Sequence, residues 1–495
     1  MMKGLVMKRI SKTDMYGFSL LLLITSLVVN AAGLCKAEAK ESKWPASIQA
    51  VLDETRPLEF DRGGRLPLYL WPARDPGPLD EKTAEELVKQ LNERGIGLFT
   101  SWASKNREKT LAESLTVAKA QRKLGLSVNI NANDCMYYFF NGDERTAHID
   151  DQNKPFWDES FGKRHKMGCP FRLDIRKAAI REQFDYFIKA FKKEGVDVDF
   201  VFADWEIDGP IEFNNAHDAS KRCLRCRENI KNINDFNDFQ KSLRKIRCDL
   251  QREVYAEPMK ANFPGVLVGN YSVYPHNGYR YWYDYYEYYA DGQPYLADQR
   301  AKYRKWYQEF PETGYTFAMP VVYTWNPIFG WYDYANSDYR WFYNMLLVAS
   351  NAGKNTPDDV PIISFVHWHT VEPAVETKQL SEEKYQELLW HMLLRGTDTF
   401  FLWCMREEAI KEVQLLHPVY AQAQEYGEFL SKGKPINFSV PKEPGTVISG
   451  LKLGNKVLVR RTDFNGSTEP VEITIDTRKI KVEAAPGCCQ IISLE

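Results

Sequence analysis

Residues 196–206, Val-Asp-Val-Asp-Phe-Val-Phe-Ala-Asp-Trp-Glu, read as a buried strand that stops on two carboxylic acids, Asp204 and Glu206, with the indole of Trp205 between them. In an extended chain residues i and i+2 face the same side, so both acids are delivered to one spot. Two carboxyls at a strand end suit chemistry at a glycosidic bond, where one acid must be held protonated as a proton donor. A single acid there would be an ordinary solvated strand terminus. An Asp-Trp-Glu run after a wholly apolar strand asks for more.

Such a pair needs a scaffold, and the pattern around it supplies one. Apolar or β-branched runs at 66–71, 96–102, 126–132, 198–203, 266–271, 315–323, 362–366 and 399–404 predict eight strands. Helical patterns lie between them, including 80–94, 109–124 and 177–194, and these three close on Gly95, Gly125 and Gly195. Eight strands alternating with helices is the count of a (β/α)8 TIM-type barrel, which needs about 250 residues. An open doubly wound sheet is the alternative, but no Gly-x-Gly-x-x-Gly follows the first strand.

The barrel is expected over residues 40–431. Beyond it, 432–495 break into short alternating segments at 436–440, 446–453, 456–462, 471–476 and 490–494, with Asn465-Gly466 as a hairpin turn. They predict a small C-terminal antiparallel β domain, sandwich-like and packed on the barrel. At the other end, Lys3, Lys8, Arg9 and Lys12 precede an apolar run at 18–34 and a small-x-small site at Ala37-Glu38-Ala39. Residues 1–39 therefore read as a signal peptide, which places the mature chain outside the cell, in a periplasm or at a cell surface. The alternative is an uncleaved anchor over 15–35; no later segment is long and apolar enough to span a bilayer.

A net charge of −2 gives no bulk electrostatic case for nucleic acid or an anionic membrane. The cysteines left after Cys35 are even in number, which permits disulfides in an exported chain. Cys223-Leu-Arg-Cys226 has the spacing of half a zinc site, but no second pair with matching spacing follows it. A local disulfide or free thiols are expected there, and neither metal nor organic cofactor is expected anywhere.

Active residues of such barrels sit at the C-terminal ends of the strands. Those ends carry Trp71, Trp102, Asn133 and Asp134, Asp204 and Glu206, Tyr271 and Tyr274, Tyr323 and Trp325, His367 and His369, and Trp403. Sugars present apolar C–H faces rimmed by hydroxyls, so aromatic platforms with a few carboxyls make a saccharide cleft. Much of the 14% aromatic share must simply pack insertions against the barrel. No second Glu occupies an obvious nucleophile position. Glu372, Glu407 and Glu408 lie farther out, the last two on a predicted helix surface. A retaining enzyme can instead use the 2-acetamido carbonyl of its own substrate, with one carboxyl as acid/base and its neighbour orienting the acetamide.

Four segments together resemble the hyaluronidase family of glycoside hydrolases. They are Asp204-Trp205-Glu206, Gly269-Asn270-Tyr271-Ser272-Val273-Tyr274-Pro275, the run from Met319 to Asn326, and Thr399-Phe400-Phe401-Leu402-Trp403. The resemblance implies Glu206 as proton donor, Asp204 as the acid that positions the acetamide, Tyr271 and Tyr323 as its helpers, and Trp403 as the floor of the cleavage subsite. Chitinases share Asp-x-Glu but add an Asp two residues earlier, where this chain has Phe202. The sequence departs from hyaluronidases after Pro275, where His276-Asn277-Gly278 stands in place of a cysteine-bearing segment.

The expectation is an exported retaining hydrolase of N-acetylhexosamine polysaccharides of the hyaluronan or chondroitin kind, with Trp71, Trp205, Tyr274, Trp325, His367 and Asn133 contacting substrate. Arg280, Lys302 and Arg304 would give a polyanion local support. A two-carboxylate glycosidase on another polysaccharide, or a non-catalytic saccharide-binding barrel, are the alternatives.

Overall fold

Gly95, Gly125 and Gly195 take left-handed backbones, with φ of +71°, +70° and +67°. Glycine alone adopts these without steric cost. They follow α2 (Glu81–Glu93), α3 (Arg107–Lys123) and α4 (Asp174–Lys193) and send the chain back toward a strand. Asp80 starts α2 by accepting the Thr83 amide. An earlier helix, α1 (Ala46–Glu54), packs against the first strand.

The computed structural model describes residues 43–136, 142–159, 166, 168–172, 174–203, 216–271, 273–276, 309–330, 332–371 and 373–494. The expected signal peptide, Asp204, Trp205, Glu206, Arg280, Lys302, Arg304 and Glu372 lie outside the described residues. Among the described residues, no helix is long and apolar enough to cross a membrane.

The eight strands are β1 (Leu68–Arg74), β2 (Ile96–Ser101), β3 (Asn129–Asn131), β4 (Phe200–Phe202), β5 (Leu267–Gly269), β6 (Val321–Trp325), β7 (Ile363–Val371) and β8 (Thr399–Leu402). All pair in parallel, in the order β5-β4-β3-β2-β1-β8-β7-β6. Between β5 and β6 the wall is bridged by the residue run ahead of β6. There the Thr316 amide donates to the Val268 carbonyl at 2.9 Å, and Thr316 Oγ1 accepts from the Val268 amide at 2.8 Å. The fold is a (β/α)8 barrel. Further helices are α5 (Ala216–Arg222), α6 (Leu224–Asn229), α7 (Phe236–Gln251), α8 (Ser337–Asn355), α9 (Glu382–Leu393) and α10 (Ala409–Ala423).

Part of the high aromatic content goes into the barrel interior, which fills in tiers. In the lowest, Phe200 stacks on Tyr69 with centroids 4.3 Å apart and touches Phe317 at 5.4 Å. Above it, Phe401 gathers Phe99 at 5.6 Å, Phe202 at 4.9 Å and Phe365 at 5.4 Å. Tilted ring pairs of this kind add about 0.5–1.5 kcal/mol each beyond the area they bury. The interior is a packed column of rings.

At the C-terminus, β9 (Lys434–Pro435), β10 (Thr446–Leu453), β11 (Lys456–Asp463) and β14 (Cys489–Ser493) form an antiparallel sheet, beside a ribbon of β12 (Val471–Ile475) and β13 (Arg478–Val482). The expected strand at 436–440 is not formed; β9 lies just ahead of it, and β13 was not anticipated. Asn465-Gly466 does not turn a hairpin, because β11 and β12 are unpaired. The hairpins close at Gly454-Asn455 and Asp476-Thr477, where Gly454 and Asp476 hold the positive φ.

The sheet docks on α8 and α9 through polar groups as well as rings. Phe464 lies 4.8 Å from both Tyr339 and Phe342. Arg460 makes a two-pronged bond to Glu387 at 2.6 and 3.0 Å, and Thr462 Oγ1 donates to the same carboxylate. His391 bonds Ser449 at 2.7 Å and Thr462 at 3.0 Å. Burial, with Arg395 and Arg460 close by, pushes its pKa well below the usual range and keeps it neutral.

Candidate active site

The third interior tier stands at the C-terminal ends of β5 to β8. Tyr271 follows β5 and stacks on Phe365 with centroids 5.3 Å apart. Tyr323, on β6, sits 5.3 Å from Phe365, 5.8 Å from His367 and 5.8 Å from Trp403, nearly parallel to the indole at 23°. His367 meets Trp403 edge-on at 5.1 Å. Four of the expected site residues, Tyr271, Tyr323, His367 and Trp403, thus gather over one phenylalanine. Trp403 keeps partial exposure, whereas His367 is buried.

A bulge builds the acid side of this cluster. Between the pairings Tyr323 with His367 and Trp325 with Val371, β7 carries extra residues opposite β6. The Trp368 and His369 amides then donate to Glu412 of α10, at distances from 2.8 to 3.1 Å. Glu412 Oε1 also lies 3.0 Å from His367 Nδ1. On the other side of the imidazole, Glu408 reaches His367 Nε2 at 3.7 Å and His369 Nε2 at 3.2 Å. Glu408 is only 22% exposed, not on the helix surface as its sequence context predicted; Glu407 is exposed as expected. A carboxylate fixed by backbone amides beside an imidazole can hold the ring's orientation. His367, Glu408 and Glu412 also present atoms close enough together to share a metal ion.

Across the mouth, β1 contributes a second polar group that sequence pattern did not reveal. Asp75 has a left-handed backbone, φ +46°, costly for a non-glycine residue. Its carboxylate accepts the Ser101 amide at 2.7 Å and the Ser101 hydroxyl at 2.8 Å. Ser101 also accepts from Asn131 at 3.0 Å, so the ends of β1, β2 and β3 are linked. Desolvation raises the Asp75 pKa, with Arg74 and Ser101 opposing it. The only legible trace of this feature was the Arg-Asp-Pro-Gly turn composition after the strand.

The remaining expected site residues are more scattered. Trp71 is partly buried and has one face covered by the Arg74 guanidinium, 3.6 Å from the ring centre, so at most its other face can serve a sugar. Asn133 is half-buried, and its amide donates to Asn131 Oδ1 at 3.2 Å. Trp325 is buried in the main core. Tyr274 is a correction: it is buried against Ala318, Ala352 and Ile362, residues ahead of β6 and β7 and on α8, rather than in the tyrosine–tryptophan cluster. Trp102 is likewise core, stacked on Phe187 at 5.1 Å. A second grouping with metal-ligand chemistry, His148, Cys169, Cys223 and Cys226, lies apart from these residues.

No family model and no curated protein matches the sequence. Among solved structures, the chain is similar to α-L-fucosidase isoenzyme 2 from Paenibacillus thiaminolyticus, at a TM-score of 0.41 and 14% identity over 72% of this chain and 47% of that one. It is similar to the α-galactosidase AgaA from Geobacillus stearothermophilus at a TM-score of 0.41 and 12% identity, over 90% and 57%. Bee venom hyaluronidase is matched at a TM-score of 0.30 and 13% identity, over 54% and 81%. The chain spans about half the length of the fucosidase and galactosidase chains.

Proposed function

We propose that the chain is an exported glycoside hydrolase that cleaves N-acetylhexosamine-containing polysaccharide with retention, using the substrate's acetamide as nucleophile. Glu206 would donate and later recover the proton. Asp204 would orient the acetamide, Tyr271 and Tyr323 would bound its pocket, and Trp403 would floor the subsite. One observation supports this reading: the top tier of the barrel is a cluster of aromatic side chains from the ends of β5 to β8, and Phe202 of β4 belongs to the tier just below. Positions 204 and 206, outside the described residues, share the parity of Phe202, so an extended continuation of β4 would carry both acids toward that cluster.

Glu408 supports a second reading. It is a partly exposed carboxylate beside His367 and His369, available as a protein nucleophile in a two-carboxylate mechanism. The purified mature protein should release reducing ends from polymers of N-acetylhexosamine, with hyaluronan and chondroitin in the panel. Hydrolysis confined to sugars lacking a 2-acetamido group would remove the acetamide mechanism. Binding without hydrolysis across the whole panel would reduce the barrel to a saccharide receptor.

A further inference from the structure

Three thiols and one imidazole from separate stretches of chain meet at a single buried point. Cys169 Sγ lies 3.6 Å from Cys226 Sγ and 3.9 Å from Cys223 Sγ, and Cys226 Sγ lies 3.9 Å from His148 Nδ1. All four ligand atoms fall within 4.8 Å of one another, and all four residues are at most 2% exposed. A tetrahedral ion with metal–sulfur bonds of about 2.3 Å sets sulfur–sulfur edges at about 3.8 Å. A disulfide would hold one pair at about 2.05 Å and leave a third thiol over. The observed separations match the tetrahedron.

The surroundings fix each donor independently. Cys223 caps α6 and Cys226 sits in its first turn, so the Cys-x-x-Cys pair bends around one point. His148 opens a short hairpin and stacks on Phe156 of its partner strand at 5.1 Å. Among the described residues its Nε2 has no hydrogen-bond partner, whereas Nδ1 faces the Cys226 sulfur. The Cys169 amide donates to Thr146 at 2.7 Å. Next to it, Gly168 comes so close that a Cβ would fall 2.5 Å from that same Thr146 oxygen. Arg225 donates to the Ala147 carbonyl at 2.8 Å and ties α6 to the hairpin.

We propose that His148, Cys169, Cys223 and Cys226 form a closed, structural Zn2+ site that joins the loop after β3 to the segment after β4. Four protein ligands leave no open position, so the ion holds shape rather than activating water. Binding converts three thiols to thiolates and releases three protons to solvent, so affinity rises with pH. Residues 204–215 connect β4 to α5, and α5 runs directly into Cys223. The ion therefore anchors the far end of the segment that bears Asp204 and Glu206.

Tag-free protein purified under reducing conditions with added zinc should carry one zinc per chain by mass spectrometric metal analysis. Exchange with Co2+ should give thiolate-to-cobalt charge transfer and the visible bands of a tetrahedral ion. Cys226→Ser should lose the metal; His148→Cys provides a second arm that does not depend on the folding of that variant. It should keep the metal and strengthen the charge-transfer band through a fourth thiolate. Cys135→Ser, at a buried cysteine outside the cluster, should change nothing. Folded wild-type protein that takes up no zinc, or a Cys169–Cys226 disulfide in protein isolated without reductant, would overturn the site. Neither readout uses glycoside hydrolysis, so the metal site and the catalytic reading fail separately.

Discussion

Glu206→Gln is expected to lower turnover by about 10²–10⁴-fold, the span typical of a lost general acid. Gln matches Glu in size, so folding and saccharide binding should survive, and the loss should fall on kcat rather than KM. The proton donor must be protonated at the working pH, which for a carboxyl means burial or a neighbouring acid raising its pKa. On the proposed reading Asp204, two residues away in sequence, would be such a neighbour. The wild-type rate should accordingly fall on the alkaline side as Glu206 loses its proton, and this limb should vanish from the residual activity of the variant. A Gln variant that keeps more than about a tenth of the wild-type rate would remove Glu206 from the acid role.

Arg460→Met is expected to be the most damaging single change to the docked C-terminal sheet. Arg460 and Glu387 are 4% and 7% exposed and bonded through two contacts. Removing one partner of a buried pair leaves the other charge unpaired, at a cost of about 3–5 kcal/mol. Among the described residues, Glu387 would retain the Thr462 hydroxyl as its side-chain partner. Replacing both residues by Met should recover most of the loss, since an apolar pair of similar volume carries no stranded charge. Urea unfolding reads this as a lower midpoint for the single variant and a midpoint near wild type for the double. Equal midpoints for wild type and Arg460→Met would show that the pair does not hold the sheet.

The barrel was legible because its signals are local. A glycine that ends a helix, a β-branched run that follows, and the recurrence of both need no knowledge of the rest of the chain, and Gly95, Gly125 and Gly195 meet that description. Trp102 and Tyr274 show where the same reasoning fails. An aromatic at a strand end can face the cleft or the helices, and only the packing of Phe187 or Ala352 decides which. Glu408 was read as a helix-surface residue and Glu412 was not singled out, because the bulge in β7 that turns two amides toward Glu412 has no pattern in sequence. The zinc-type cluster was missed for a related reason. Cys223-Leu-Arg-Cys226 gave half of it, but the other half stands earlier in the chain, with Cys169 54 residues before Cys223 and His148 78 residues before Cys226. Spacing rules that look forward for a second pair cannot find ligands that the fold recruits from a loop already passed.

The measurement that bears most directly on substrate-assisted catalysis is inhibition by a thiazoline mimic of the cyclised acetamide, compared between wild type and Asp204→Ala, with a fluorosugar as the competing probe. Tight inhibition of wild type that weakens in Asp204→Ala, together with no covalent labelling by the fluorosugar, is the expected result. Indifference to the thiazoline, with the fluorosugar covalently attached to Glu408, would contradict it and make the reaction a two-carboxylate displacement.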